Sequence, residues 1–171
     1  MRTPDNLPEA EQLLSELARQ MQGAIAFDAR LVGIHSGGAW VAERLSAMLP
    51  GDHPFGTMDV SFYRDDYNTV GLKPKVLRTK LPFEVDGARL VLVDDVLKTG
   101  RSVRAALNEL FDYGRPAAVE LAVLIDRGGR ELPIEPNYCG ARIAVVSDRD
   151  LVLKREADGQ LSLGLEPSDQ A

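Results

Sequence analysis

Leu90 to Ser102 reads LVLVDDVLKTGRS, and the way this stretch divides decides the fold. Leu90 to Val93 is short, apolar and rich in β-branched side chains, as expected of a strand buried on both faces of a parallel sheet. From Ser102 the period changes. Val103, Ala106, Leu107, Leu110 and Phe111 recur at the spacing of one helix face. Gly114 and Pro116 then stop the helix, glycine first and proline just beyond. Between strand and helix lie two adjacent acids, Asp94 and Asp95, and the small loop Lys98-Thr99-Gly100-Arg101-Ser102. The C-terminal edge of a sheet facing a helix N-terminus is an anion site, because free N–H groups and the positive dipole end converge there. Asp94 and Asp95 have the wrong sign for an anion. They are expected to bind another part of the same ligand, a diol or a metal. A purely structural turn would also link strand to helix, but two acids ending a buried strand repel each other unless something lies between them.

A ligand carrying both a phosphate and a cis-diol is a ribose 5-phosphate. Two acids followed by a T-G-[RS]-[ST] loop resemble the phosphoribosyl pyrophosphate (PRPP) signature of the phosphoribosyltransferases. The longer run DDVLKTGRSVRAAL, then GRPA, LAVLIDRGGRELPI and Tyr138, is similar to one branch of them. That branch comprises pyrimidine-operon attenuation regulators that are also uracil phosphoribosyltransferases. The likeness spans residues 10–140 and is densest over 88–138.

The resemblance implies an α/β fold, a doubly wound, mostly parallel sheet flanked by helices with a β-rich hood or arm. It implies synthesis of UMP and pyrophosphate from uracil and PRPP, with Mg²⁺ held mainly through substrate and through Asp94 and Asp95. It assigns PRPP to Val93, Asp94, Asp95, Val96, Leu97, Lys98, Thr99, Gly100, Arg101 and Ser102. Asp94 and Asp95 hold the ribose hydroxyls, and the 99–102 loop holds the 5′-phosphate. Ser36, Gly37 and Gly38 meet the pyrophosphate. Arg64 and Asp65 join the catalytic set, and Arg78 and Lys80 close from an arm. Ile125, Asp126 and Arg127 meet the pyrimidine through backbone groups. The expected partners are PRPP, uracil, UMP, operon leader RNA and further copies of the chain, as a homodimer or larger homo-oligomer.

The chain of 171 residues suits one domain with a sizeable core. Hydrophobic content of 44% and charged content of 27% are ordinary globular values. No apolar run approaches the ~18 residues of a membrane span, and no charged-then-apolar leader is visible, so a cytoplasmic protein without membrane association is expected. The single cysteine, Cys139, leaves no intrachain disulfide or cysteine metal cluster, in keeping with a reducing compartment. A net charge of −6 opposes non-specific nucleic-acid binding. Basic residues are sparse on the first helix, where only Arg19 appears, and Lys154 and Arg155 are mixed with acids.

Taken in order, Asn6, Pro8 and Glu9 read as a helix start, with Ala10, Leu13, Leu14, Leu17, Ala18 and Met21 as its apolar stripe. Leu31 to His35 reads as a strand, followed by Ser36-Gly37-Gly38 and a helix with Val41, Ala42, Leu45, Met48 and Leu49 inward. Ordinary turn chemistry would account for the glycines equally well. Thr57 to Tyr63 alternates as a strand, with Met58, Val60 and Phe62 opposite Asp59 and Ser61. The polar stretch 64–87, with Lys73, Lys75, Arg78 and Lys80, reads as a mobile arm over a polyanion or as a solvated loop. Val119 to Ile125 and Arg142 to Val146 read as strands, and 151–165 as a hairpin around Asp158-Gly159. His53 is expected in solvent. His35 is either a rim residue or a general base.

Three functions compete: the uracil transferase, an RNA-binding attenuator or nucleotide sensor with weak or no transferase activity, and a purine transferase. The RGGRELPI match disfavours the last. One departure stands out. The branch usually reads Lys-Thr-Arg-Gly where this chain has His35-Ser36-Gly37-Gly38, so a pyrophosphate-clamping arginine is missing. Either Arg78 or Lys80 substitutes, or the protein is chiefly a sensor.

Overall fold

The structure is a computed structural model that describes residues 6–61 and 78–169. Helix α1 (Ala10–Met21) precedes strand β1 (Arg30–Ile34), helix α2 (Gly37–Met48) and strand β2 (Phe55–Met58). Strand β3 (Arg89–Leu97), helix α3 (Arg101–Tyr113), β4 (Ala118–Asp126) and β5 (Tyr138–Arg142) follow, and β6 (Arg149–Arg155) with β7 (Leu161–Pro167) close the chain. Strands β2-β1-β3-β4-β5 form one sheet in that order, every pairing parallel, and β6 and β7 form an antiparallel hairpin.

A parallel sheet must be covered on both faces, and here two apolar clusters do so. Leu31, Val91, Val93, Ala122 and Leu124 pack with α1, α2 and the hairpin residues Leu151, Leu153 and Leu161. Val32, Ile34, Leu90, Leu92, Leu121 and Val123 pack with Val103, Ala106 and Leu110 of α3 and with Met58, Val60 and Val85. Alternation along β3 thus explains its apolar run: odd and even positions serve different layers. The order of the sheet reverses direction at β1 and β3, which places a crevice between the ends of these two strands.

Several boundaries differ from the sequence reading. Helix α1 begins at Ala10, not at Asn6, with Glu9 as an N-cap that makes no side-chain bond. Pro8 keeps Leu7 out of the helical region and delays the start. Strand β2 ends at Met58 because Asp59 Oδ1 accepts from both the N–H and the hydroxyl of Ser61, a local turn that leaves the ladder. Asp59 is buried, against its expected outward position, and residues 62 and 63 lie outside the described residues. The last strand of the sheet is Tyr138–Arg142 rather than 142–146. Asn137 starts it by exchanging bonds with Leu121 through both its amide and its side chain. Met48 and Phe111 are exposed. His53 is buried, its Nδ1–H donating to the Ala29 carbonyl at 2.9 Å.

Of the 64–87 stretch, the described end from Arg78 is fastened to the sheet. Thr57 and Lys80 exchange two backbone bonds of 2.8 Å, Val85 is buried, and the Arg30 guanidinium lies 5.5 Å from the Phe83 ring centroid. The position that Phe111 was expected to fill on α3 is taken partly by Glu109, which is 8% exposed. Thr79 donates its hydroxyl to Glu109 Oε1 at 3.0 Å, and Oε2 has no hydrogen-bond partner among the described residues. Burial pushes the Glu109 carboxyl up from its ordinary 4.5; the Thr79 bond opposes this, and repulsion from Asp59 and Asp112 adds to it.

An acid whose folded value is raised costs stability once ionised, so the penalty is absent below 4.5 and grows as pH rises. Glu109→Gln keeps the acceptor for Thr79 and removes the charge. It is expected to raise Tm by about 2–4 °C at pH ~7.5 and by almost nothing at pH ~4. Thermal melts at the two pH values test this. A gain equal at both would exclude a charge effect.

Candidate active site

The crevice between β1 and β3 is bounded by two strand-to-helix turns. On the β1 side the chain passes through His35 and Ser36, joined by a cis peptide, directly into α2. Gly37 and Gly38 are thus the first turn of a helix rather than a loop. Both are buried, and both lie flat against the end of β3. A Cβ on Gly37 would come within 2.6 Å of Asp95 Cγ, and one on Gly38 within 2.9 Å of Asp94 Cα. A side chain at Gly37 would require the Asp95 side chain to shift, and one at Gly38 would meet the backbone of Val93 and Asp94. The two glycines are a close-approach requirement, which goes further than turn chemistry.

Strand β3 continues through both acids to Leu97, so alternation sends Asp94 and Asp95 to opposite faces. Asp95 lies against Gly37 on the α2 side. Asp94 is buried, and its Oδ1 accepts from the Asp95 N–H at 2.9 Å. Asp95 Oδ1 accepts from the Val96 N–H at 2.8 Å. Each carboxylate therefore has one oxygen engaged in fixing the strand end. This holds the pair rigid at the crevice.

The phosphate-type loop has an orientation set from its far side. The carbonyls of Leu97, Lys98, Thr99 and Gly100 accept from the Arg127 N–H, Arg130 Nη1–H, the Glu131 and Leu132 N–H groups and the Arg104 N–H, all at 3.0–3.1 Å. In a trans peptide the C=O and N–H point opposite ways. With the carbonyls of 97–99 turned toward the segment after β4, the N–H groups of Lys98, Thr99 and Gly100 turn away from it. Gly100 allows this with φ of 93°, and α3 begins at the next residue. Thr99 Oγ1 accepts from the Arg101 N–H at 3.2 Å. The outcome is a concave set of donors over a helix N-terminus, which suits a phosphate.

The segment after β4 is organised by Asp126, whose side chain is 3% exposed. Arg130 binds it with two bonds of 2.8 and 2.7 Å, Arg142 adds one of 2.6 Å, and the Gly128 N–H another of 3.0 Å. Burial favours the neutral acid, but the Arg130 bonds, the Gly128 amide and the two nearby positive charges outweigh it, so Asp126 stays below the usual carboxylate range. Arg127 turns under the hairpin to Asp150 at 2.6 Å, and Lys98 reaches the same oxygen at 3.5 Å. Burial alone would raise Asp150; the Arg127 bond and Lys98 lead the groups that lower it.

The structure gathers most of the residues singled out in the sequence. Val93 through Ser102 form one continuous edge, with Gly37 and Gly38 packed against it and exposed Ser36 beside them. Ile125 is fully buried in the core, and the side chains of Asp126 and Arg127 are taken up in ion pairs with Arg130 and Asp150, which leaves a base only backbone atoms in this segment. Arg78 and Lys80 are exposed at the fastened end of the 64–87 stretch. Arg64 and Asp65 lie outside the described residues. His35 is half-buried; burial lowers its imidazole, with Asp59 opposing and Lys80 assisting. Sequence reasoning passed over Arg130, Glu131 and Asp150. The first two stood inside the quoted RGGRELPI run, but spacing does not reveal that they grip another loop.

A family model described as the phosphoribosyl transferase domain matches residues 5–143, and the chain belongs to that family. Its place within the family is narrower. A protein named bifunctional protein PyrR from Ralstonia nicotianae is 54% identical over 149 residues, covering 87% of this chain and 85% of the relative. Another of the same name from Pseudomonas fluorescens is 48% identical over 162 residues, covering 92% and 96%. At that similarity the chain sits in the PyrR branch. Solved structures agree on the fold. A hypoxanthine-guanine phosphoribosyltransferase from Bacillus anthracis superposes with TM-score 0.65 at 22% identity, covering 84% of this chain and 86% of that one. A purine phosphoribosyltransferase from Pyrococcus horikoshii gives 0.60 at 26%, covering 78% and 81%.

Contact between Gly37 and the Asp95 side chain means that Gly37→Arg restores the missing arginine only if Asp95 shifts to admit it. Gly37→Ala is expected to lower kcat/KM for PRPP by about tenfold or more while Tm changes little. Steady-state kinetics with a thermal melt as control decide it; unchanged kinetics would remove the close-approach requirement.

Proposed function

We propose that this chain transfers the ribose 5-phosphate of PRPP to N1 of uracil, forming UMP and pyrophosphate. We also infer that its occupancy by UMP reports pyrimidine supply to the transcription of pyrimidine biosynthesis genes. The observation that carries the reading is the pairing of two fixed acids with outward N–H groups across one crevice. In the reaction the N1–C1 bond forms as the C1–O bond to pyrophosphate breaks. The bonding pair leaves with pyrophosphate, and the N1 proton is released to water. Charge develops as a cation on the sugar and an anion on the leaving group.

The residues divide that task. Asp94 and Asp95 hold the ribose hydroxyls, and their charge favours the cationic ring. The loop from Lys98 to Ser102 holds the 5′-phosphate, and the first turn of α2 offers its N–H groups to pyrophosphate. Arg78 and Lys80 add the charge that Gly37 lacks, and Arg64 and Asp65 join them. Uracil lies along the backbone of 125–127. Among the described residues no three His, Cys, Asp or Glu side chains form a ready metal cage. That suits Mg²⁺ carried in on the phosphates, with Asp94 or Asp95 supplying one or two oxygens. When bound, it neutralises pyrophosphate charge.

The reading as an RNA-binding sensor with little transferase activity has one observation against it. Lys98, Arg101, Arg127, Arg130, Arg142, Lys154 and Arg155 all face acids, so these cations are already neutralised within the fold. An RNA-binding face needs unopposed ones. Leader-RNA binding is therefore expected to be no tighter than about 1 µM at physiological salt, to depend on UMP and to fall steeply with salt. A nanomolar sequence-specific complex in a filter-binding titration would contradict this.

Pyrophosphate release from PRPP and Mg²⁺ with uracil, hypoxanthine, guanine and orotate in parallel tests the transferase. Release with uracil alone is expected. Asp94→Asn and Asp95→Asn should each lower kcat/KM by about a hundredfold or more. Near-full activity in both variants, with the fold intact, would remove the diol role.

A further inference from the structure

We propose that Arg130 is the positioning residue that couples the base-side segment to the phosphate loop, so that phosphate and pyrimidine bind to one unit. This rests on the transferase reading above. Arg130 uses its whole fork: Nε–H donates to the Ile134 carbonyl at 2.6 Å, Nη1–H to the Lys98 carbonyl at 3.0 Å, and both terminal nitrogens to Asp126. Its side chain is only 17% exposed. The carbonyl of Lys98 belongs to the same peptide as the Thr99 N–H, so the guanidinium sets the direction of a donor that it never touches.

The other side-chain ties between the two segments are weaker: Lys98 and Arg127 share Asp150, but Lys98 only at 3.5 Å. Arg101 meets Glu131 at 2.7 Å, but the pair is 42% and 53% exposed and so is screened by water. Lysine cannot replace the arginine. A point charge could keep Asp126 but would not also reach the two carbonyls in one plane. Nor would Asp126 be stranded by the loss of Arg130, since Arg142 and the Gly128 N–H still serve it. Losing Arg130 therefore releases mainly the Lys98 and Ile134 carbonyls, and the Lys98–Thr99 peptide is free to turn between Leu97 and Thr99, whose carbonyls stay held by backbone bonds.

One consequence separates this from a plain stabilising ion pair. The phosphate of UMP should lose its contribution to binding when Arg130 is replaced, while the nucleoside part keeps most of its own. The experiment compares Arg130→Lys and Arg130→Gln with the unaltered chain, measuring UMP and uridine dissociation by calorimetry alongside KM for PRPP and for uracil. UMP affinity and the PRPP KM should worsen by about tenfold or more, with uridine affinity changing by less than about threefold. The UMP-to-uridine affinity ratio then falls by at least about threefold. Equal weakening of UMP and uridine, or no change in either, overturns the coupling. So does loss of cooperative melting in both variants, which would make Arg130 a requirement of the fold. If the unaltered chain binds neither UMP nor PRPP, the transferase reading itself has failed.

Discussion

The rest of the site depends on the backbone contact between the first turn of α2 and the end of β3. Two helix residues without side chains lie on Val93, Asp94 and Asp95. That contact fixes how near the turn after β1 comes to the turn after β3, and so sets the width of the crevice. It also determines where Asp95 stands. Gly33 allows a matching approach behind it, because a Cβ there would come within 2.6 Å of Ala39 Cα. Three glycines thus seat one helix against two strands, and the acids inherit their position from that packing.

Charge plays a second, separable part. Asp126 is buried with two arginines, and removing one partner of such a group costs on the order of 3–5 kcal/mol when nothing else serves it. The ion pairs holding the hairpin belong to another regime. Arg155 with Glu43 is 40% and 46% exposed, and such pairs contribute about 0–1 kcal/mol. Burial of Leu151, Leu153 and Leu161 contributes roughly 1.5–3 kcal/mol each, so apolar packing docks the hairpin and the surface charges only refine it. The Arg127–Asp150 pair is the exception, since Arg127 is 6% exposed and joins the hairpin to the active-site segment.

Periodicity made the sheet and its helices legible, because a buried strand and an amphipathic helix are each patterned by what they face. The phosphate loop was legible for a similar reason: its residues carry their chemistry locally. What the sequence hid were facts of contact. Nothing in the spacing of Gly37 and Gly38 says that Asp95 lies against them. Asp59 alternates like a solvent-facing residue, yet a hydrogen-bonded turn with Ser61 buries it. Glu109 interrupts an apolar stripe and looks exposed, but the helix is rotated so that Phe111 meets water instead. Arg130 resembled one more surface cation until its carbonyl partners, 32 residues away in one case, were in view.

The way α1 is held has a bearing on how the chain folds as it is made. Gln20 bonds the backbone of Cys139, 119 residues later, and Glu11 accepts from the Leu161 N–H, 150 residues later, while also gripping Arg44. Helix α1 is made before β5 and the hairpin, yet its apolar stripe is completed by them. Until β5 and the hairpin emerge, Leu13, Leu14, Leu17 and Met21 lack much of the surface that buries them. Such high contact order slows folding and prolongs exposure of apolar surface. A nascent chain stalled before the hairpin would present a sticky, half-covered helix, a substrate for chaperones rather than a smaller working enzyme.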